Sequence, residues 1–171
     1  MDLSAEDALR LNVLLANPLQ AVRIDESSMR VHALSEAGEA SVSLNPRGRD
    51  DQYLKKVREL LSSQVLGSPG GYPVFLRRWT RMGQARDDNL EQLLLLGEPE
   101  AVVAVVHAHG LTDEIARRAW WAMPVADNAR RMLERDCVVN GEMGRELAQY
   151  LIEYLPFETA HRAMVETVRL A

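Results

Sequence analysis

The hydrophobic period of the chain changes once, near Asp50, and that change restricts the fold to a small sheet followed by helices. Between Val22 and Leu44 apolar residues recur at alternate positions: Val22 and Ile24, then Met29, Val31 and Ala33, then Val42 and Leu44. The residues between them are Arg23, Asp25, Arg30, His32, Ser41 and Ser43. Successive side chains of a strand point to opposite faces, so this pattern gives strands with one apolar and one wet face. Polar breaks at Glu26-Ser27-Ser28 and Ser35-Glu36-Ala37-Gly38 turn them into a three-stranded antiparallel meander. Three strands barely stand alone, so the face carrying Val22, Ile24, Val31, Val42 and Leu44 is expected to be buried on helices.

Helical spacing flanks the meander. Ser4 suits an N-cap, with Asp7 at the capping-box position and Leu11, Leu14 and Leu15 on one stripe, and Asn17-Pro18 stops that helix. Beyond Asp50 the pattern predicts a helix over Asp51–Ser63, with Tyr53, Leu54, Val57, Leu60 and Leu61 inward. It then predicts helices over Val74–Met82, Asp88–Leu96, Pro99–His109, Asp113–Ala122, Ala126–Arg135, Glu142–Leu155 and Glu158–Ala171. Pro99 fits a first helical position, Gly110 a C-terminal cap and Thr112 an N-cap, while Pro124 and Pro156 forbid continuation. The expected class is α+β, mostly α: a small meander near the N-terminus followed by an array of about seven short antiparallel helices. The chain is expected to form a single domain over 1–171, with 1–49 holding the first helix and meander and 50–171 the array. The helix Pro99–His109, apolar nearly all round, is expected at the centre of the array.

Composition narrows the function. With 171 residues, 47% apolar, 26% charged and a net charge of −5, the chain has globular proportions and no overall affinity for polyanions. Its single cysteine, Cys137, and its acidic N-terminus point to a cytoplasmic protein. The longest strongly apolar stretch, Ala101 to Ala108, is far below the ~20 residues that span a bilayer, so no membrane partner is expected.

One segment concentrates charge. Residues 72–86 carry Arg77, Arg78, Arg81 and Arg86 without a carboxylate, and on a helix Phe75, Trp79 and Met82 share the face opposite Arg77 and Arg81. Elsewhere arginines have an acid four residues earlier: Asp113 for Arg117, Glu114 for Arg118, Asp127 for Arg131 and Glu158 for Arg162. The 72–86 arginines must instead find another helix, with Asp87-Asp88 as candidates, a protein partner, or an RNA phosphate backbone. Trp120 and Trp121 lie ~100° apart on their helix, so both cannot point into one core. Trp121 is the candidate for a docking surface.

Other chemistries fall away on detail. The glycine-rich loop Leu66–Tyr72 lacks a Gly-Lys-Ser/Thr ending and contains Pro69, so it reads as a turn. His107 and His109 would stand ~200° apart on a helix and cannot grip one metal. His161 falls on the apolar stripe Phe157, Ala160, Met164, Val165, Val168, as a core histidine does. Cys137 sits among acidic and apolar residues and reads as a buried structural thiol. No catalytic residue, cofactor or metal ligand is assigned.

The run from Val65 to Gln84, including Gly67-Ser68-Pro69-Gly70-Gly71-Tyr72-Pro73-Val74-Phe75-Leu76-Arg77-Arg78-Trp79, continues in Leu93-Leu94-Leu95-Leu96-Gly97-Glu98-Pro99-Glu100-Ala101-Val102 and Ala119-Trp120-Trp121. Together these resemble the sulfur reduction protein DsrS, associated with the dissimilatory sulfite reductase gene cluster of sulfur-oxidising bacteria. The resemblance implies a soluble, cytoplasmic, non-enzymatic accessory or regulatory protein of sulfur oxidation, acting on expression of the reductase system. It implies no catalytic residues. It also implies that the chain is the N-terminal part of a longer protein, and the final helix, ending at Ala171 without a cap, reads the same way. A protein partner is expected first. RNA binding through the 72–86 arginine face is an alternative, and an enzyme whose site lies in a further C-terminal region is another. The last helix is amphipathic and short, so an apolar patch near the C-terminus is expected, exposed or covered by a second copy in a homodimer.

Overall fold

The computed structural model describes residues 3–66 and 90–171. The chain is α+β and mostly α. Among the described residues a three-stranded antiparallel sheet near the N-terminus is followed by eight α-helices and one 3-10 turn, most of them short. The predicted helix over Val74–Met82 lies outside the described residues. The chain forms two compact units, Met1–Ala101 and Val102–Ala171. Among the described residues no helix is long and apolar enough to cross a membrane.

In the N-terminal unit, helix α1 (Ala5–Leu15) opens at Ser4, whose side chain accepts a hydrogen bond from Asp7 N at 3.2 Å. Strands β1 (Ala21–Asp25), β2 (Arg30–Ser35) and β3 (Gly38–Ser43) pair in sequence order, with Val31 between Ile24 and Val42. Val22, Val31 and Leu44 are buried, and Ile24 and Val42 are half-buried against the same core. That core is completed by Leu11 and Leu14 of α1 and by Tyr53, Leu54, Val57 and Leu61 of helix α2 (Asp50–Leu66). The alternation therefore does what strand geometry requires of it. The outer edge of β1 is covered where Val22 N donates to the Leu94 carbonyl at 2.9 Å, just after helix α3 (Leu90–Leu93). Gly97 follows at φ 66°, in the left-handed region, and a Cβ there would press on Ile24 at 3.0 Å.

Asp7 departs from the capping-box expectation. Its carboxylate turns inward, fully buried, and accepts hydrogen bonds from the Tyr53 hydroxyl and from Asn45 N, the latter at 2.9 Å. It thereby ties α1 to α2 and to the segment after β3. Burial, with the Asp7 carboxylate beside it, pushes the Tyr53 phenol above its ordinary value.

Helix α4 (Pro99–His107) buries Ala101, Val102, Val105 and Val106 and leaves Val103 partly in solvent, so it has one outer face after all. It ends at His107, two residues earlier than predicted, where His107 Nδ1–H donates to the Val103 carbonyl at 2.8 Å. In the C-terminal unit Thr112 caps helix α5 (Asp113–Ala122) through a bond from Ile115 N at 3.2 Å.

The predicted helix over Ala126–Arg135 ends early, as α6 (Ala126–Met132), and an unpredicted single turn, α7 (Asp136–Val139), follows it. Helix α8 (Met143–Tyr154) runs into a 3-10 turn at Leu155–Phe157 containing Pro156, and α9 spans His161–Leu170. The last helix starts later than predicted because Glu158 is extended and accepts from Thr159 N at 3.1 Å and Ala160 N at 3.2 Å.

Asp113 does for α8 what local capping does not. No side chain adjoining α8 caps it, and the Asp113 carboxylate accepts instead from Glu142 N at 2.8 Å and Met143 N at 3.2 Å. The approach requires glycine at 141, since a Cβ there would lie 2.3 Å from the Asp113 carboxyl carbon. Asp113→Ala is expected to cost about 1 kcal/mol, as loss of a helix cap does. Gly141→Ala should cost a similar amount by displacing the same carboxylate. Urea midpoints of the two single mutants and the double mutant should then be clearly non-additive. Additive losses would separate the two residues.

With Asp113 occupied, Glu114 takes both neighbouring arginines. It accepts from Arg117 Nε at 2.9 Å and from Arg118 Nε at 3.1 Å. The Arg117 hydrogen bond, with Arg118 adding to it, lowers the Glu114 carboxyl from its ordinary 4.5 to about 2. A depressed folded-state value stabilises above the unfolded value and is lost as pH falls. The stability margin of wild type over Glu114→Gln should therefore narrow as pH falls from 4.5 to about 2. Chemical denaturation at a series of pH values reads this directly, and a margin constant across that window contradicts it.

Candidate functional site

Arg77, Arg78, Arg81 and Arg86, together with Phe75, Trp79 and Met82, lie outside the described residues. Trp121 is described and half-buried on α5, while its neighbour Trp120 is buried. Trp120 begins an aromatic run. Its ring meets Tyr150 edge-on at 4.7 Å and 77°, and Tyr150 stacks on Tyr154 at 5.8 Å and 10°. Tyr154 meets Phe157 at 6.3 Å and 44°. Residues 150, 154 and 157 share one face because they stand at helical spacings of four and three, continued through the 3-10 turn. The inward face of α8 is a different one, built from Met143, Gly144, Leu147 and Leu151.

The run leads outward. Trp120 is buried, Tyr150 and Tyr154 are half-buried, and Phe157 is 73% exposed. Partial burial, with Tyr154 alongside, pushes the Tyr150 phenol up from its ordinary value of 10.0. The Tyr150 hydroxyl donates to the Pro124 carbonyl at 3.5 Å. Sequence reasoning missed this feature. Tyr150, Tyr154 and Phe157 carry its signal in their spacing, but Phe157 also fits the stripe of the last helix, which conceals it.

Beside α6 lies a cleft of ≈ 320 Å³ lined by Val103, His107, Asn128, Arg130, Arg131 and Glu166 among others. Its polar centre is Arg130, whose side chain is only 8% exposed. Arg130 Nη1 donates to Glu158 Oε2 and to Thr167 Oγ1, both at 3.2 Å, and Nη2 donates to Asp127. Arg131 pairs with Glu134 at 2.9 Å. Asp127 and Glu158 therefore serve Arg130, not Arg131 and Arg162 as the i, i+4 spacing predicted. Arg162 instead lies 3.6 Å from Glu166. The guanidinium at the head of the cleft is consumed by internal partners, and the cluster acts as a clamp that draws α9 and the Glu158 segment onto α6.

Two further expectations are corrected. Cys137 is exposed, its Sγ–H donating to the Leu111 carbonyl at 3.2 Å, because the single turn α7 points its neighbour Val138 inward instead. His161 is exposed, not in the core. Thr167 takes the innermost position of α9, drawn there by Arg130, with Ala163, Met164 and Leu170 half-buried beside it. That rotation turns Val165 and Val168 outward, 56% and 69% exposed. Apolar surface is thus exposed near the C-terminus. Among the described residues no group of three or more histidine, cysteine or carboxylate side chains is placed to hold a metal ion.

No family model matches the chain, and neither a curated protein nor a solved structure is found to be similar to it.

Replacing Arg130 with alanine strands Glu158 without its cation. Removing one partner of a buried ion pair costs ~3–5 kcal/mol. Arg130→Ala is expected to lose stability on that scale and to expose the amides of α9 to hydrogen exchange first. A loss below about 1 kcal/mol, the range of surface ion pairs, would deny the clamp.

Proposed function

We propose that the protein is a non-enzymatic accessory or regulatory protein that acts through protein–protein contacts, with the aromatic run of its C-terminal unit as the contact surface. The observation that carries this is the run from Trp120 through Tyr150 and Tyr154 to Phe157, anchored in the core at one end and open to solvent at the other. Aromatic side chains held by packing lose little conformational freedom on binding and dominate interface energetics. Phe157 stands in solvent at the end of a stacked and braced row, so a partner would meet a preformed surface.

The setting is the cytoplasm of a sulfur-oxidising cell, and the process is dissimilatory sulfur oxidation. Both rest on the resemblance to DsrS, and the cytoplasmic setting also on the single cysteine. Within that setting the contact supports the sulfite reductase system.

The test is complementation. In a sulfur-oxidising host deleted for the gene, the wild-type chain should restore sulfite reductase abundance. The Tyr154→Ala/Phe157→Ser variant should not, although its circular dichroism is unchanged. Truncating an interface aromatic costs about 2 kcal/mol or more in binding, enough to empty a moderately tight complex. Full restoration by the variant removes the aromatic run from the function, and unchanged reductase in the deletion strain removes the sulfur setting.

A further inference from the structure

The outward faces of the last two helices carry opposite charge around exposed aliphatic residues. On α9 that face holds His161, Arg162, Val165, Val168 and Arg169, all exposed. Its nearest carboxylate is Glu166, half-buried and 3.6 Å from Arg162, whose side chain is 93% exposed. A pair so open to water neutralises little. On α8 the outward face holds Arg145, Glu146, Gln149, Ile152 and Glu153, with Ile152 61% exposed. Two carboxylates there face one arginine, and Gln149 Nε2 donates to Glu153 at 3.1 Å. The two helices are consecutive, joined through the 3-10 turn, and pack on one another.

A two-fold axis brings residue i of one copy onto residue j of the other, and j onto i. A chain with a basic aliphatic helix beside an acidic aliphatic helix is therefore complementary to itself. We propose that the protein forms a homodimer in which α8 of each copy lies against α9 of the other. Ile152 covers Val165 and Val168 of the second copy, and Glu146 and Glu153 meet its Arg162 and Arg169. Because the axis repeats the contact, each complementary pair occurs twice. The aliphatic residues supply the apolar area, and the charges fix which helix meets which. This interface uses neither Tyr150 nor Tyr154 and is independent of the partner surface proposed above.

Sedimentation equilibrium of the full chain across a wide concentration series tests the proposal. Wild type should pass from monomer to dimer, and Val165→Asp/Val168→Asp should remain monomeric. Charge reversal provides the control that survives any misfolding of that variant. Glu146→Arg/Glu153→Arg should weaken the dimer by about tenfold or more, and so should Arg162→Glu/Arg169→Glu, because like charges then oppose. All four substitutions together should recover most of the wild-type affinity. A wild type that stays monomeric at the highest concentration overturns the proposal and leaves the face to another protein. A dimer indifferent to both charge reversals, or one that the combined variant fails to restore, overturns it equally.

Discussion

A helix of ten or twelve residues is marginal in water, since nucleation consumes much of what so few hydrogen bonds return. The longest helix of the C-terminal unit, α8, has 12 residues, and in α6 through α9 the N-cap residue's own side chain makes no capping hydrogen bond. Each of these helices must be stabilised from outside itself. Asp113 of α5 reaches the amides that open α8, and Arg130 of α6 grips Glu158 ahead of α9 and Thr167 within it. Long-range polar contacts thus take the place of local caps. Their geometry then fixes details that propensity leaves open, such as glycine at 141 and a late start for α9.

The N-terminal unit uses the same device once. Asp7, fully buried, holds Tyr53 of α2 and Asn45 beyond β3. A three-stranded sheet barely stands alone. Here it shares one core with α1 and α2, and a hydrogen-bonded carboxylate sets how those helices meet it. Both bonds fall on one carboxylate oxygen, Oδ2, and replace the water it loses on burial, while Oδ1 is buried without a partner.

The choice of inward residues decides what is left outside. Because Arg130 pulls Thr167 to the centre of α9, Val165 and Val168 face solvent. Because Leu147 and Leu151 take the inward face of α8, Tyr150 and Tyr154 lie on its flank and conduct the aromatic row to Phe157. The surfaces that carry the functional proposals are thus consequences of how the interior is satisfied.

The period of the apolar residues determined the class of the fold. Alternation from Val22 to Leu44 made the meander and its buried face, and spacings such as Tyr53, Val57 and Leu61 placed the inward side of α2. Ser4 and Thr112 were legible as caps because a cap acts within three residues of itself. Spacing failed where a charge had a distant alternative. Asp113, Asp127 and Glu158 each stand four residues before an arginine, yet each serves a different group, because a buried or backbone partner outweighs a solvent-exposed pair. The aromatic run was written in Tyr150, Tyr154 and Phe157, but its direction depended on Trp120, thirty positions before Tyr150 in the chain. Periodicity is a local property, so the sequence alone determined which segments are strands and helices. Which side of α9 turns inward, and where the aromatic row of α8 leads, was decided by contacts between segments far apart in the chain, and with it the surface offered to a partner.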